Sequence, residues 1–311
     1  MKKWLSVLVI IFLLALAGIY IFIPPTITVT RYVKLRATSG GTERFIAQKN
    51  KWNSWWPGKK AIHTDTAFMY QGYTFHPGMA LPGSAAIDIT KNQDTHSSLL
   101  SILPLSRDSV GITWQCNVTT SSNPFQRLQR LSQSKQIDAA MSGLLDSMRA
   151  FFEKQENIYT VGITQTMVTD TLLVTTRKTF SAYPSTQAVY QLVGQLRNYI
   201  ARQNAEAVNP PMLYVEPGPG GSFQTQVAIP VNKPLQGTAN IQFKRMVPGK
   251  ILVAEVTGGP HAIRHAFDQM LFYAEDYKKI SPAIPFEMMV TDRVQETDTS
   301  RWITRIYYPT L

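Results

Sequence analysis

One carboxylate stands out by its surroundings. Glu287 lies in the otherwise apolar run Ile284–Val290. Strand alternation there puts Phe286, Met288 and Val290 on one face and Pro285, Glu287 and Met289 on the other. A carboxylate among apolar neighbours requires a counter-charge, a hydrogen-bond donor or a ligand, unless it points to solvent from an edge strand. Tyr214, Trp302 and Tyr307 are aromatic side chains that could wall a site around it, although each would serve equally as a core or surface aromatic. A second cluster, Trp52–Asn–Ser–Trp55–Trp56–Pro57–Gly58, holds three tryptophans within five residues. Such rings are costly to expose, so Trp55 and Trp56 are expected to line or plug a cavity.

Catalytic signatures are scarce. Of the five histidines, His63, His76, His96, His261 and His265, only the last two have a helical i, i+4 spacing, and they lack the adjacent carboxylate of a zinc hydrolase. The single cysteine, Cys116, excludes an intramolecular disulfide and a cysteine metal cluster, and reads as a small core residue. There is no nucleophile elbow and no P-loop, and Gly218–Pro–Gly–Gly221 has no following helix to bind phosphate. No metal and no cofactor are expected.

The positioning elements follow from pattern. The 311 residues, 44% hydrophobic and 16% charged, suit a folded chain with room for two domains. The net charge of +11 contains no run of five like charges and no basic arm with interleaved aromatics, so no nucleic-acid partner is expected. Residues Trp4–Ile23 contain Ser6 as their only polar side chain, after Lys2 and Lys3 and before Pro24–Pro25. That length predicts a transmembrane anchor over residues 1–25. The alternative is a signal peptide cleaved near Ala15–Leu–Ala17. The anchor implies membrane lipid as a partner and a single-pass place in the cell membrane, with the folded part outside the cytoplasm.

Thr26–Arg36 alternates as a strand, and Thr42 could cap a short helix. Short strand-like runs recur between Ala61 and Asn117, and Ile137–Phe152 carries one apolar stripe of helical period. The first strand, Trp52–Asn–Ser–Trp55–Trp56–Pro57 and the helix ending at Phe152 resemble the START-like (SRPBCC) helix-grip family over residues 26–156. That resemblance implies a curved sheet gripping a long helix, with a hydrophobic ligand cavity or a packed remnant of one.

The rest of the chain is written twice. A helical stripe from Pro184 (Val189, Leu192, Val193, Leu196, Ile200) has a counterpart from Pro260 (Ile263, Ala266, Phe267, Met270, Ala274). Phe223, Thr225, Val227 and Pro230 recur at constant offset as Trp302, Thr304, Ile306 and Pro309. Two β-α-β-β units are expected, joined to the first domain near Asn157. With Pro248–Gly–Lys–Ile–Leu–Val–Ala–Glu255, Gly258 and Phe286–Glu287, this part resembles the GyrI-like domain, the effector-binding domain of AraC-type regulators, over residues 158–311. The resemblance implies a groove at the shared axis that takes small, often cationic, amphipathic molecules. Relatives often have a carboxylate just after the closing-strand threonine, where this chain has Arg305 and Gln226.

The expected fold is therefore α+β: an N-terminal transmembrane helix, a START-like helix-grip domain and a duplicated GyrI-like domain. The expected function is non-catalytic binding of a small amphipathic or hydrophobic molecule. The alternative is a GyrI-like hydrolase with Glu287 as general base. The helices are expected to cover one sheet face and leave the other as the groove, with Glu287 facing into it. Replacing Glu287 with Gln should then weaken a cationic ligand and hardly alter stability.

Overall fold

The computed structural model describes residues 2–60 and 67–311. His63 lies outside them, as does the start of the expected meander at Ala61. The chain divides into two compact units, Met1–Ile158 and Tyr159–Leu311.

In the first unit, helix α1 (Lys2–Phe22) is followed by β1 (Thr26–Leu35) and α2 (Ser39–Ala47). A 3-10 turn (Lys49–Ser54) leads to β2 (Lys59–Lys60), β3 (Phe68–Tyr70), β4 (Tyr73–Leu81), β5 (Ser84–Lys91), β6 (Asp94–Ser106) and β7 (Ser109–Thr119), then to α3 (Pro124–Phe152). The strands form one antiparallel sheet in the order β1-β7-β6-β5-β4-β3-β2. Long-range pairing of Thr26 with Thr119 through Leu35 with Val110 places the first strand beside the last. The α3 stripe (Ile137, Ala140, Met141, Leu144, Met148) is fully buried, as are Leu35, Phe75, Ile87, Leu100, Ile112 and Trp114.

Helix α3 begins 13 residues before the expected Ile137. Its first half is polar enough to hide the apolar period, and Phe125 and Leu128 stay exposed there. What starts it is a cap: Asn123 accepts hydrogen bonds from the backbone N–H of Phe125 and Gln126, ahead of Pro124 at the first helical turn. Asn123→Ala should cost about 1 kcal/mol and Asn123→Gly only a few tenths, measured by denaturant unfolding. Likewise α2 is capped by Thr38 rather than Thr42, whose hydroxyl instead donates to the Thr38 carbonyl.

The membrane expectation does not hold. Among the described residues no helix is long and apolar enough to cross a membrane. The apolar run does form α1, but its last turn is engaged by the chain's own fold. The Tyr20 hydroxyl donates to the Ser122 carbonyl at 2.5 Å, and the Arg127 guanidinium lies 4.8 Å from the Tyr20 ring centre. Ile23 is buried. The anchor over residues 1–25, its lipid partner and the single-pass location are corrected accordingly.

The short helix α4 (Gln155–Tyr159) spans the joint between units. The second unit then runs β8 (Ile163–Met167), β9 (Leu172–Phe180), α5 (Thr186–Arg202), β10 (Met212–Pro217), β11 (Phe223–Pro230), β12 (Gln242–Arg245), β13 (Lys250–Thr257), α6 (Pro260–Asp276), β14 (Phe286–Met289) and β15 (Ile303–Thr310). Its antiparallel sheet has the order β12-β9-β11-β10-β14-β15-β13-β8. Each copy is β-β-α-β-β, one strand more than the pattern suggested. The added strands are exchanged: β8 of the first copy pairs with β13, and β12 of the second pairs with β9. Both are short, polar edge strands defined by pairing rather than by apolar alternation.

The two copies meet at β10 and β14, where Leu213 pairs with Glu287. These two positions are equivalent. Leu213 faces Val227 in its own copy and Glu287 faces Ile306, the repeat counterpart of Val227. The pseudo-twofold axis therefore passes through one apolar and one acidic residue. On one face of the sheet, Val174, Leu213, Val227 and Met289 pack with Val189, Leu192, Val193 and Leu196 of α5. On the other face Met212, Ala228, Ile251, Phe286 and Met288 cluster without a helix above them.

Candidate functional site

A cavity of about 700 Å³ lies at this axis, on the helix-bearing face. The N-terminal turns of α5 and α6 form its sides, through Val189, Tyr190, Ile263 and Phe267, and the sheet forms its floor, through Leu213, Glu287 and Met289. Tyr183, Phe223 and Trp302 add aromatic wall, with Tyr183 and Phe223 in edge-to-face contact at 5.5 Å. The groove is on the opposite face from the one expected. Each helix stands over its own half of the sheet, so the space that Glu287 lines is the gap between the two helices.

Strand alternation carries Glu287 to this face, and the side chain is buried among apolar neighbours. Its counter-charge is Arg293. Nη2 of Arg293 donates to Glu287 Oε2 at 2.7 Å and to Thr304 Oγ1 at 3.0 Å, and both charged side chains are only 9% exposed. The guanidinium also lies over the Trp302 ring, 4.8 Å from its centre. Its backbone is fixed from α5, where the Tyr190 hydroxyl accepts from the Arg293 N–H at 2.7 Å. Arg293 Nε is buried without a hydrogen-bond partner.

Arg293 belongs to the connection between β14 and β15, residues 290–302, whereas the equivalent β10–β11 connection is the five-residue turn 218–222. The copies thus differ by an inserted loop. Its effect shows at the repeated threonines: Thr304 receives the arginine, while its counterpart Thr225 is buried with its hydroxyl unpartnered. The loop is itself anchored, since Trp302 Nε1 donates to the Glu296 carbonyl at 2.9 Å and Arg197 of α5 lies 3.7 Å from Asp292. Desolvation, then the nearby Glu287 charge, pushes the Tyr183 phenol above its ordinary range, which keeps it a neutral donor at the rim.

The other expected site residues separate. Trp302 reaches the cavity, and Tyr214 borders it while packing on the far face and donating its hydroxyl to Glu216 at 2.9 Å. Tyr307 stacks on Phe286 at 5.0 Å on the far face and does not line this cavity. Trp55 and Trp56 are core residues of the first unit, buried against Trp52, Phe68 and Phe75. Trp52 Nε1 donates to the Ile46 carbonyl and Trp56 Nε1 to the Met69 carbonyl, so the rings tie the 3-10 turn to the sheet. Gly58 completes that junction: a Cβ there would lie 1.8 Å from the Met69 carbonyl oxygen.

Arg293, Tyr183, Tyr190, Phe223 and Phe267 were not among the expected site residues. Phe223 had a signal, as the repeat partner of Trp302. Hydrolysis with Glu287 as general base meets a competing partner, because the guanidinium already occupies Oε2. Cys116, buried in β7, has its thiol pushed up to about 12 by burial, as befits a core residue. His265 accepts or donates a hydrogen bond with Thr160 at 2.8 Å. Among the described residues no group of histidine, cysteine and carboxylate side chains could hold a metal ion.

No protein-family model and no curated protein matches the sequence. Among solved structures, the chain is similar to the C-terminal domain of EcmrR, at 14% identity and TM-score 0.40, over 49% of this chain and 98% of that one. It is similar to SAV2435 bound to tetraphenylphosphonium, at 15% identity and TM-score 0.33, over 48% and 94% of the two chains. It is also similar to a hydrolase from Listeria innocua, at 10% identity and TM-score 0.36, over 47% and 91%. The helix-grip resemblance of residues 26–156 rests on its sequence motif.

Proposed function

We propose that the second unit binds a small aromatic molecule carrying a hydrogen-bond acceptor, in the cavity between α5 and α6. The observation that carries this reading is the composition of the cavity floor. Glu287 is already neutralised by Arg293, and the other charged residues of the lining, Arg264 and Asp268, are of opposite sign, so little excess charge is left for a cation; the neutral Tyr183 hydroxyl offers a donor to a carbonyl or ether oxygen. The aromatic walls supply stacking, and about 700 Å³ is within the roughly 300–1,000 Å³ of small-molecule sites. The resemblance of the repeats to effector-binding domains points to the same class of ligand, with the preference for cations removed.

A neutral fluorescent coumarin, which presents a carbonyl on a planar ring, is a suitable probe for titration against the full chain. The expected result is saturable binding. Phe267→Ala should weaken it by about 1 kcal/mol, roughly fivefold, the scale of one aromatic contact. A parent chain that binds tetraphenylphosphonium more tightly than the coumarin, or a Phe267→Ala variant that binds the coumarin as the parent does, would overturn the reading.

A further inference from the structure

The helix-free face of the same sheet carries a feature that the first cavity does not use. Two adjoining cavities, of about 310 and 450 Å³, share Val168, Met212, Met246 and Phe286 as common walls. Their floor is the apolar cluster of Met212, Ala228, Ile251, Phe286 and Met288. Methionine is unbranched and adaptable, so a floor with Met212, Met246 and Met288 accommodates a flexible chain better than a rigid ring. The larger of the two is mainly apolar, and the smaller adds Thr164, Thr166, Thr169 and Asp170 to the apolar floor.

The charge at its wider end is one-sided. Arg177, Lys244, Arg245 and Lys250 line the larger cavity, and no aspartate or glutamate does. Arg177 hydrogen-bonds the neutral Gln226, and among the described residues Lys244, Arg245 and Lys250 make no ion pair. Four unneutralised cations around an apolar trough raise the local concentration of anions. A separate observation marks the same place. Thr310 lines this cavity, is 3% exposed, and its hydroxyl has no hydrogen-bond partner. A buried hydroxyl left unsatisfied is costly, and an acceptor from a bound molecule would relieve it.

We propose that this face is a second binding site, for a single-chain anionic amphiphile of the long-chain carboxylate class. The carboxylate meets the cationic rim and accepts from Thr310, and the hydrocarbon chain lies along the floor toward the smaller cavity. A carboxylate fits the head position because point-charge lysines and one hydroxyl donor match a small anion. The smaller cavity offers the head no free cation, since Arg305 is already paired with Glu255 at 2.9 Å, and its Asp170, which accepts from Asn209 at 2.8 Å, repels an anion; the head therefore stays at the four cations of the larger cavity.

The test is calorimetric titration of the full chain with laurate below its micellar concentration, beside dodecyltrimethylammonium, which has the same tail length and opposite charge. Laurate should saturate one site and weaken as salt is raised, and the cationic surfactant should bind at least tenfold more weakly. Lys244→Glu with Lys250→Glu should lower laurate affinity at least tenfold, and Thr310→Val a few fold, with coumarin binding in the helix-side cavity unchanged. Equal binding of the two surfactants, or undiminished laurate binding by the charge-reversed variant, would overturn the proposal. So would a chain that ignores laurate but sediments with phosphatidylglycerol vesicles, because the cations would then serve a lipid surface. Because the coumarin is followed in the same variants, failure of this site is distinguishable from failure of the other.

Discussion

Glu287→Gln is expected to lower the melting temperature by roughly 10 °C. The carboxylate and its partner Arg293 are both only 9% exposed and 2.7 Å apart. Removing one member of a buried pair leaves the other charge desolvated and uncompensated, which costs about 3–5 kcal/mol. A domain of this size moves roughly 2–4 °C per kcal/mol. Gln retains an oxygen that can accept from Nη2, so the loss falls at the lower end of that range. This reverses the expectation from sequence that the change would leave stability intact, because the counter-charge was not visible there. Glu287→Gln combined with Arg293→Met should recover most of the loss, since replacing both charges with groups of similar volume removes the orphan. A single variant that melts within a degree or two of the parent would show that water, rather than apolar packing, surrounds the pair.

Arg293→Met should convert the cavity into a cation site. Methionine keeps much of the packing against Trp302 and fills the space of the arginine stem, but it leaves Glu287 without its counter-charge at the floor of an aromatic-walled cavity. A lipophilic aromatic cation would then supply the missing counter-charge, with a gain of roughly 2 kcal/mol, or about thirtyfold in affinity, the scale of one charge-assisted partner. The variant should be destabilised when empty and stabilised by the cation through linkage, so its melting temperature should rise with cation concentration more steeply than that of the parent. Adding Glu287→Gln to it should abolish the gain. Equal affinity of parent and Arg293→Met for the cation, measured by titration, would mean that Arg293 does not set the charge preference.

Much of the second unit could be read directly. Its duplication was legible because the same local pattern is needed twice: a proline ahead of an apolar helical stripe, then a strand with buried threonine and aliphatic positions. The long stripe Ile137–Phe152, the strands of the meander and the acidic position at Glu287 were legible for the same reason, since periodicity and polarity are properties of neighbours along the chain. The extra strands β8 and β12 were not, because a polar edge strand is defined by what it pairs with, and each pairs into the other copy.

The apolar run at the start of the chain shows how local length misleads. The long apolar run predicts a helix correctly, yet among the described residues no helix is long and apolar enough to cross a membrane, and the last turn of this one meets Ser122 and Arg127, about a hundred residues away, through Tyr20. The tryptophan cluster leaves a choice open in sequence: three large rings close together can line a cavity or fill one, and here they pack with Phe68 and Phe75 from the sheet. At the site itself, composition and period put a carboxylate on one face of a strand. Folding decided which face the helices leave open, and it delivered Arg293 from an irregular loop whose sequence has no period to read. A counter-charge at 2.7 Å is a fact of three-dimensional approach, six residues away along a chain that first has to turn back on itself.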